Sequence, residues 1–510
     1  MPSWLVPLPD AAAQRALDSW AIEHGGVPGL ELMERAGAGL ADLTARHVPE
    51  GSIAIVCGKG SNGGDGLVAA RHLRAAGREV DVQLLCAPRD LRGDARANLE
   101  RLPGAPPRPF VPGTLMEEAG IVDAVLGTGA RGAPQGAACD AVEAIAAAAR
   151  AGVPVLACDV PSGVDASTGE VPGPAVRAVA TATFHAGKPG LWIAPGKQHC
   201  GEVVVVPIGI PAEARPPLEE PWLGLIDGAV LDALPRRTSA STKFDGGSVI
   251  VCGGSRGLTG APTMAAEGAM RAGAGYVTAL VPASLSLAFE ARSLEVMSAA
   301  LPDEHGALVA AALDVVLERC ARADALVLGP GLGRSSGAAE LARGLAARAP
   351  IALVLDADGL NAHAGALESL AARGAPTVLT PHGGELARLL DLTSDEVRTR
   401  RLACAREAAR RARAVVVLKG DDTLVVGPGD GDPLAVSRGD APALATAGTG
   451  DVLAGVIGAL LARGVEPFTA ACAGVELHRR AGRLVAERIG VEGALARDVI
   501  DALPSARRER

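Results

Sequence analysis

Aromatic residues are nearly absent: Phe, Trp and Tyr together make up 2% of the 510 residues. Ala, Val and Leu must therefore pack whatever core forms. No run of five or more Lys/Arg occurs and the net charge is −9, which argues against a nucleic-acid-binding surface. The N-terminus has no basic segment followed by an apolar one, so no signal peptide is expected. The longest smooth apolar stretch, Val452 to Ala462, is about half the ~20 residues a membrane span needs. The nine cysteines include no C-x-x-C pair, which excludes a disulfide framework and zinc-site spacing. They read as reduced, packed thiols of a soluble cytoplasmic protein with neither nucleic acid nor membrane as partner. With 48% hydrophobic and 21% charged residues, extended disorder is excluded and about two to four domains are expected.

Lysine and asparagine are scarce as well. Only five lysines (59, 188, 197, 243 and 419) stand among 49 basic residues, and asparagine occurs only at 62, 98 and 361. A background that replaces Lys by Arg wherever either serves leaves Lys where a compact, mobile ammonium matters. Lys59, Asn62, Lys243 and Lys419 all lie in Gly-rich segments.

Hydrophobic periodicity predicts helices over 11–24 and 30–47, then repeated strand–loop–helix units. Strands are expected at 52–57, 79–85, 121–126, 153–158 and 203–208, with a helix over 67–76 following the first. This alternation implies α/β architecture, a mostly parallel sheet covered by helices. A Pro- and Glu-rich stretch, 211–221, reads as a linker. Beyond it strands are expected at 248–252, 276–281, 325–328, 351–355, 377–379, 415–418 and 423–426. Two domains follow, at about 1–212 and 225–510.

In the first domain three strand ends carry polar groups. Cys57 to Gly66 is a Gly-rich loop containing Ser61, Asn62, Gly63, Gly64 and Asp65; glycines there let backbone N–H groups approach an anion. Asp123 precedes a second loop, Gly127, Thr128, Gly129, Ala130, Arg131, Gly132 and Ala133, and Asp159 and Ser162 end a third strand. Loops at the carboxyl ends of parallel strands converge on ligands.

Together with Leu32 to Gly37, these motifs resemble the NAD(P)H-hydrate epimerase family. The resemblance implies a Rossmann-like domain that interconverts the R and S forms of hydrated NADH and NADPH (NADHX and NADPHX) at C6 of the nicotinamide ring. It places the hydrate against Ser61 to Asp65, Gly127 to Ala133 and Asp159, and a potassium ion on Asn62, Asp123 and Ser162. Oxygen ligands without Cys or His suit such a hard cation. Asp159 is the expected acid/base group. Ser61 departs from the family, which usually has Asn there. His185, in a segment that also resembles the family, is expected to be structural.

The second domain carries a different set. Gly-rich turns follow the strands at Gly253 and Gly329; Gly331, Asp356, His382 and Glu385 lie after others, and Lys419, Gly420, Asp421, Asp422 and Thr423 after another. The run Gly448, Thr449, Gly450, Asp451 precedes an apolar helix. Backbone N–H groups at such a helix start form an anion hole, and Asp451 can accept the proton of an acceptor hydroxyl in phosphoryl transfer.

These motifs resemble the ribokinase-like superfamily and, within it, the NAD(P)H-hydrate dehydratases. The resemblance implies phosphorylation of the C6 hydroxyl of the S-hydrate by ADP or ATP with Mg²⁺, then elimination of phosphate. It assigns Ala261, Gly331, His382 and Asp451 to the hydrate, and Lys419 to Thr423 with Gly450 to the nucleotide. Lys243 is a further candidate phosphate ligand. The order of the two domains matches the bifunctional repair enzymes of bacteria, and a homo-oligomer is expected. The alternatives are a ribokinase-like vitamin kinase, which would lack the first constellation, and a non-catalytic scaffold, against which Asp159 and Asp451 argue.

Overall fold

The computed structural model describes residues 2–211, 214 and 223–508, in two compact units, Pro7–Leu223 and residues 1–6 with 224–510. The domain boundary expected after residue 212 thus meets a more intricate chain path. The strand Leu5–Pro7 belongs to the sheet that carries the C-terminal strands, and its Leu5 and Val6 count with the C-terminal unit. Except for Pro211 and Ala214, the stretch read as a linker lies outside the described residues.

In the first unit, the described strands form a seven-stranded sheet. Its order is Arg108–Pro109, Val80–Leu84, Ile53–Cys57, Gly120–Ala124, Val155–Cys158, Ala180–Phe184, Glu202–Val206, with every neighbouring pair parallel. Ile53–Cys57 and Gly120–Ala124 are buried at every position, as strands covered by helices on both faces must be. Strand order reverses between these two, which opens a crevice at their carboxyl ends.

The helix after Ile53–Cys57 starts earlier than its glycines suggest. It spans Ser61–Ala75, so most of the expected loop is its first two turns. These glycines serve close approach rather than a left-handed backbone. A Cβ at Gly63 would stand 2.0 Å from the Gly58 carbonyl oxygen, and one at Gly66 2.7 Å from the Ala124 Cβ. The same helix packs on Gly29–His47, where a Cβ at Gly37 would meet Val68 at 2.4 Å. Small residues draw the helix start down onto the sheet and fix Asn62 and Asp65 in the crevice.

In the second unit the described strands form a separate antiparallel pair, Asp303–Glu304 with Ala307–Leu308, and an eleven-stranded sheet. Its parallel part runs Val415–Leu418, Thr377–Leu379, Ala352–Leu355, Ala325–Leu328, Ser248–Cys252, Tyr276–Pro282, Met297–Leu301. Leu424–Val426 and Leu434–Val436 extend it antiparallel beyond Val415–Leu418. The apolar segment after Asp451 is the helix Thr449–Ala462, buried along most of its length. It lies against Gly260–Ala272 in backbone contact: a Cβ at Gly455 would fall 1.9 Å from the Ala265 carbonyl oxygen. Alanine and glycine thus do the packing expected of a core poor in aromatics. They hold the start of this helix at the carboxyl edge of the parallel strands.

Candidate functional sites

The first unit encloses a cavity of about 780 Å³ in the crevice of its sheet, lined among others by Ser61, Asn62, Asp65, Thr128, Asp159 and Lys188. Gly127, Gly129 and Ala130 also line it; Gly63 and Gly64, packed inside the helix, do not, nor do Arg131, Gly132 and Ala133. His185 does not line it either.

Asp159 adopts a left-handed backbone, φ 65°, a conformation that costs a non-glycine residue energy and persists where the surroundings impose it. Its Oδ2 accepts a hydrogen bond from the Thr128 hydroxyl. Its Oδ1 accepts from Lys188 Nζ at 2.7 Å, from the Thr183 hydroxyl at 3.2 Å and from the Phe184 N–H at 3.3 Å. Burial works against its charge, yet the Lys188 ammonium and these hydrogen bonds hold the carboxyl below the usual carboxylate range.

Lys188 is 0% exposed. Its other two donors go to the Thr183 hydroxyl at 3.0 Å and the Phe184 carbonyl at 2.8 Å, so its charge is fully committed. Sequence reasoning gave Lys188 no role. The available signal was its survival as one of five lysines in the chain.

Two further carboxyls behave oppositely. Asp65, 8% exposed, is pushed well above its usual pKa by burial, then by Asp159 and Asp18. Burial, partly offset by a hydrogen bond from Gln14, raises Asp18 as well. One cavity therefore holds one carboxyl pushed below the carboxylate range and another pushed above it, the kind of divergence that separates base from acid.

Asn62, Asp123 and Ser162 meet around the backbone of Leu126. Asn62 Nδ2 donates to the Leu126 carbonyl at 3.1 Å, and the Leu126 N–H donates to Ser162 Oγ at 2.8 Å. Ser162 also donates to Asp123, from Oγ at 2.6 Å and from its N–H at 2.8 Å. Asp123 is 0% exposed; burial, partly countered by the Ser162 bonds, pushes it up to about 6. No His/Cys/Asp/Glu group of metal-binding size occurs among the described residues, so any ion here would rest on amide, hydroxyl and carbonyl oxygens beside a single carboxylate. That donor set fits a hard monovalent cation.

In the second unit Lys419 stands beside the helix start: a Cβ at Gly450 would lie 3.4 Å from its Nζ. Gly448, with φ 94°, caps the helix, leaving its first N–H groups free to meet an anion. Lys419 Nζ donates to Asp356 Oδ1 at 2.8 Å and lies 3.9 Å from Glu385 Oε2. Burial opposes its charge, but Asp356 and Glu385 raise its pKa above the usual lysine value. Asp451 is pushed up to about 7, by burial first and then by Asp356, with Lys419 pulling the other way. Sequence reasoning quoted Asp356 and Glu385 within motifs without giving them this task.

Lys419, Gly420, Asp421, Thr423 and Gly450 line a second cavity, of about 290 Å³. Asp422 does not. It turns into the protein and pairs with Arg401 at 2.8 Å, both nearly buried. Ala261 and Gly331 adjoin one another, a Cβ at Gly331 falling 3.2 Å from that of Ala261. His382 caps the helix Gly383–Leu390, its Nδ1 accepting from the N–H groups of Gly384 at 3.0 Å and Glu385 at 3.4 Å. Its Nε2, on a half-exposed ring, lies 3.5 Å from Glu385 Oε1. Lys243 lies over the Tyr276 and Phe244 rings, 5.0 and 5.7 Å from their centroids, so its ammonium is held by cation–π contacts.

Two family models match the chain in order: YjeF-related protein N-terminus over residues 29–190 and NAD(P)H-hydrate dehydratase over 249–505. The bifunctional NAD(P)H-hydrate repair enzyme Nnr of Moorella thermoacetica is 40% identical, the match covering 97% of this chain and 95% of that protein. Its counterpart from Salinibacter ruber is 38% identical, with 99% and 96% covered. Among solved structures, an ADP/ATP-dependent NAD(P)H-hydrate dehydratase from Bacillus subtilis, co-crystallised with ATP and Mg²⁺, aligns over 55% of this chain and 95% of its own at 27% identity and a TM-score of 0.47. By near full-length identity to these relatives, with both family models matched, the chain belongs to the family of bifunctional NAD(P)H-hydrate repair enzymes.

Proposed function

We propose that the first unit epimerises hydrated NADH and NADPH at C6 and that the second dehydrates the S form at the expense of ADP or ATP, which arrives with Mg²⁺. The observation that carries this reading is one chain with two separately built acid/base carboxylates. Asp159 stands in a large crevice, and Asp451 stands at a helix start beside a lysine.

C6 of the hydrate bears a hydroxyl and adjoins the ring nitrogen. Its configuration is lost when the C–O or the C–N bond breaks and is remade. Either route removes a proton from one atom and delivers one to another. Asp159, held below the carboxylate range, takes the base role and Asp65, pushed above it, the acid role. Ser61, Asn62 and the Gly127–Ala130 segment border the substrate. Asn62, Asp123 and Ser162 would hold potassium, whose charge would offset that of buried Asp123.

In the second unit Asp451 takes the proton of the C6 hydroxyl as the hydroxyl oxygen attacks the terminal phosphorus, and the bridging P–O bond breaks to release AMP from ADP or ADP from ATP. The N–H groups of Thr449 and Gly450, with Lys419, meet the charge on the transferring group. Phosphate then departs from C6 with its bonding electrons while a proton leaves C5, which restores the C5=C6 double bond. Ala261, Gly331 and the half-exposed His382 ring would border the hydrate, and Lys419 to Thr423 the nucleotide.

The fusion has a chemical logic. Hydration gives both epimers and the dehydratase consumes one, so the epimerase must supply it from the other. The free cysteines, mostly buried, fit a reducing compartment such as the cytoplasm.

The test is absorbance at 340 nm after the protein meets mixed NADHX epimers with Mg²⁺ and ADP or ATP. Recovery of NADH beyond the S fraction is expected. Recovery of the S fraction alone would remove the epimerase, and none with either nucleotide would remove the dehydratase. Replacing potassium by a large organic cation should slow epimerisation only; an unchanged rate would remove the ion from Asn62, Asp123 and Ser162.

A further inference from the structure

One wall of the second cavity is held in place from behind. Ser437, Gly439 and Ala441 line the cavity, whereas Arg438 and Asp440, between them, do not. The Asp440 side chain is 57% exposed, and its backbone is left-handed, φ 64°. Such a conformation costs a non-glycine residue energy and persists where contacts impose it. Two hydrogen bonds do so. The Asp440 N–H donates to Asp421 Oδ1 at 3.0 Å, and Asp440 Oδ1 accepts from Arg479 Nη1 at 2.7 Å. Arg483 adds a longer pairing with Oδ2, at 3.8 Å.

The two partners belong to different walls of the cavity. Asp421 lies in the 419–423 segment and Arg479 on the helix Pro467–Ile489, and both line the cavity. Arg479, 8% exposed, is itself fixed: its guanidinium grips buried Glu476 with two nitrogens, at 2.8 and 2.9 Å. A planar fork held at two points presents its remaining nitrogen in one direction. The 437–441 loop is also joined to the 419–423 segment by the Ser437 N–H, which donates to the Thr423 carbonyl at 2.9 Å. The spacing between loop and helix therefore depends on Asp440, while the loop's other attachment does not. The groups suited to phosphates, Lys419 and the N–H groups of Thr449 and Gly450, belong to neither the loop nor that helix. What loop and helix clasp between them is the rest of the ligand.

We propose that Asp440 is a positioning residue for the co-substrate: tied to Arg479, it sets the gap between the 437–441 loop and the Pro467–Ile489 helix and so preforms the slot for the nucleoside part of ADP or ATP. This rests on the nucleotide reading of the second cavity. A slot formed in advance raises affinity, because binding no longer bears the cost of ordering the loop. Asp440 acts through Arg479 and the loop, and the groups that transfer the phosphoryl group are left as they are.

The experiment measures calorimetric ADP binding, dehydratase kinetics and thermal unfolding for the full chain and three variants. Asp440→Gly suits the positive φ and keeps the N–H that meets Asp421, but loses the bond to Arg479. Its Kd and KM for ADP should rise about tenfold. Its kcat at saturating ADP should stay within about twofold and its unfolding midpoint close to that of wild type. Asp440→Asn tolerates the same backbone and returns an oxygen to Arg479, so it should regain most of the affinity. Arg479→Lys, which lacks the fork that holds Glu476 and Asp440 together, should repeat the split between KM and kcat. Unchanged ADP affinity in Asp440→Gly, or in Arg479→Lys should the glycine variant not fold, would overturn the proposal and leave the nucleotide reading intact. So would a fall in kcat as large as the loss of affinity with a lowered midpoint, the mark of a general structural role. Absence of ADP binding by wild type would overturn both.

Discussion

Each of the two sites sets an aspartate beside a lysine, fully buried at 188 and half-buried at 419, and the two lysines are spent differently. In the first unit Lys188 bonds directly to Asp159 at 2.7 Å, and Asp159 sits below the usual carboxylate range. In the second, Lys419 bonds to Asp356 at 2.8 Å, and Asp451 is pushed up to about 7. Residue type alone does not assign a base its strength; what matters is which carboxylate claims the neighbouring cation. The contrast suits the two reactions. A base of lowered pKa holds a proton only briefly, which suits a reversible exchange of configuration, whereas a group near neutrality takes and releases a proton with equal ease.

The sharpest way to break the comparison is Asp451→Asn. The dehydratase should lose ~10²–10⁴-fold in rate, the usual contribution of a positioned acid/base group, while epimerisation, followed by chromatographic separation of the epimers, stays unchanged. Loss of both activities would mean that the two sites are not separate.

Next in size is Lys188→Met. It leaves Asp159 buried without its cation, a change that typically costs ~3–5 kcal/mol of stability, read as a lower unfolding midpoint. Asp159 is held ionised by this lysine, so its folded pKa should rise once the lysine is gone. The sign follows: epimerisation should fall at neutral pH by ~10-fold or more and recover as pH rises. A rate lost equally at every pH would give Lys188 a purely structural role.

Asp356→Asn acts in the opposite sense on the second site. It removes a repelling charge from Asp451 and frees Lys419 to face it, so the Asp451 pKa should drop. Asp451 works only when ionised, so wild-type dehydration should climb with pH through about 7. In the variant that rise should move down by ~1 pH unit. An unmoved midpoint would show that burial alone sets it.

Much of this was legible in the sequence, and the gaps have physical causes. Buried parallel strands are short apolar runs, so 248–252, 325–328, 377–379 and 415–418 were found at their observed bounds. Ala180–Phe184 was not read as a strand, because alternating Ala and Thr carry little hydrophobic signal. The edge strand Met297–Leu301 is disguised in the same way. The start of the helix at Ser61 was hidden because glycine reads as a loop former, whereas here it permits close packing inside a helix. Leu5–Pro7 joins a sheet whose other strands begin beyond residue 222, and no local pattern reveals a non-local pairing. Within the sites, the motif residues were named, but the groups that set their charge were not. Lys188 reaches Asp159 across 29 positions, and Lys419 reaches Asp356 across 63; spacing along the chain says nothing about either pair.

The smallest expected effect belongs to a residue at the rim of the first site. Ser61 is the first residue of the Ser61–Ala75 helix, is exposed, and borders the first cavity at its rim. Asp159, Lys188 and Asn62 are fixed by bonds that do not involve it. Ser61→Asn adds an amide at the rim and leaves those contacts alone, so epimerase kcat/KM should change by less than ~3-fold, under ~0.7 kcal/mol in transition-state stabilisation. A change of tenfold or more would shift control of the first site from the Asp159–Lys188 pair to the helix start. The first site would then rely on its helix start as the second does on Thr449 and Gly450, and the contrast between two differently spent lysines would no longer explain how the sites differ.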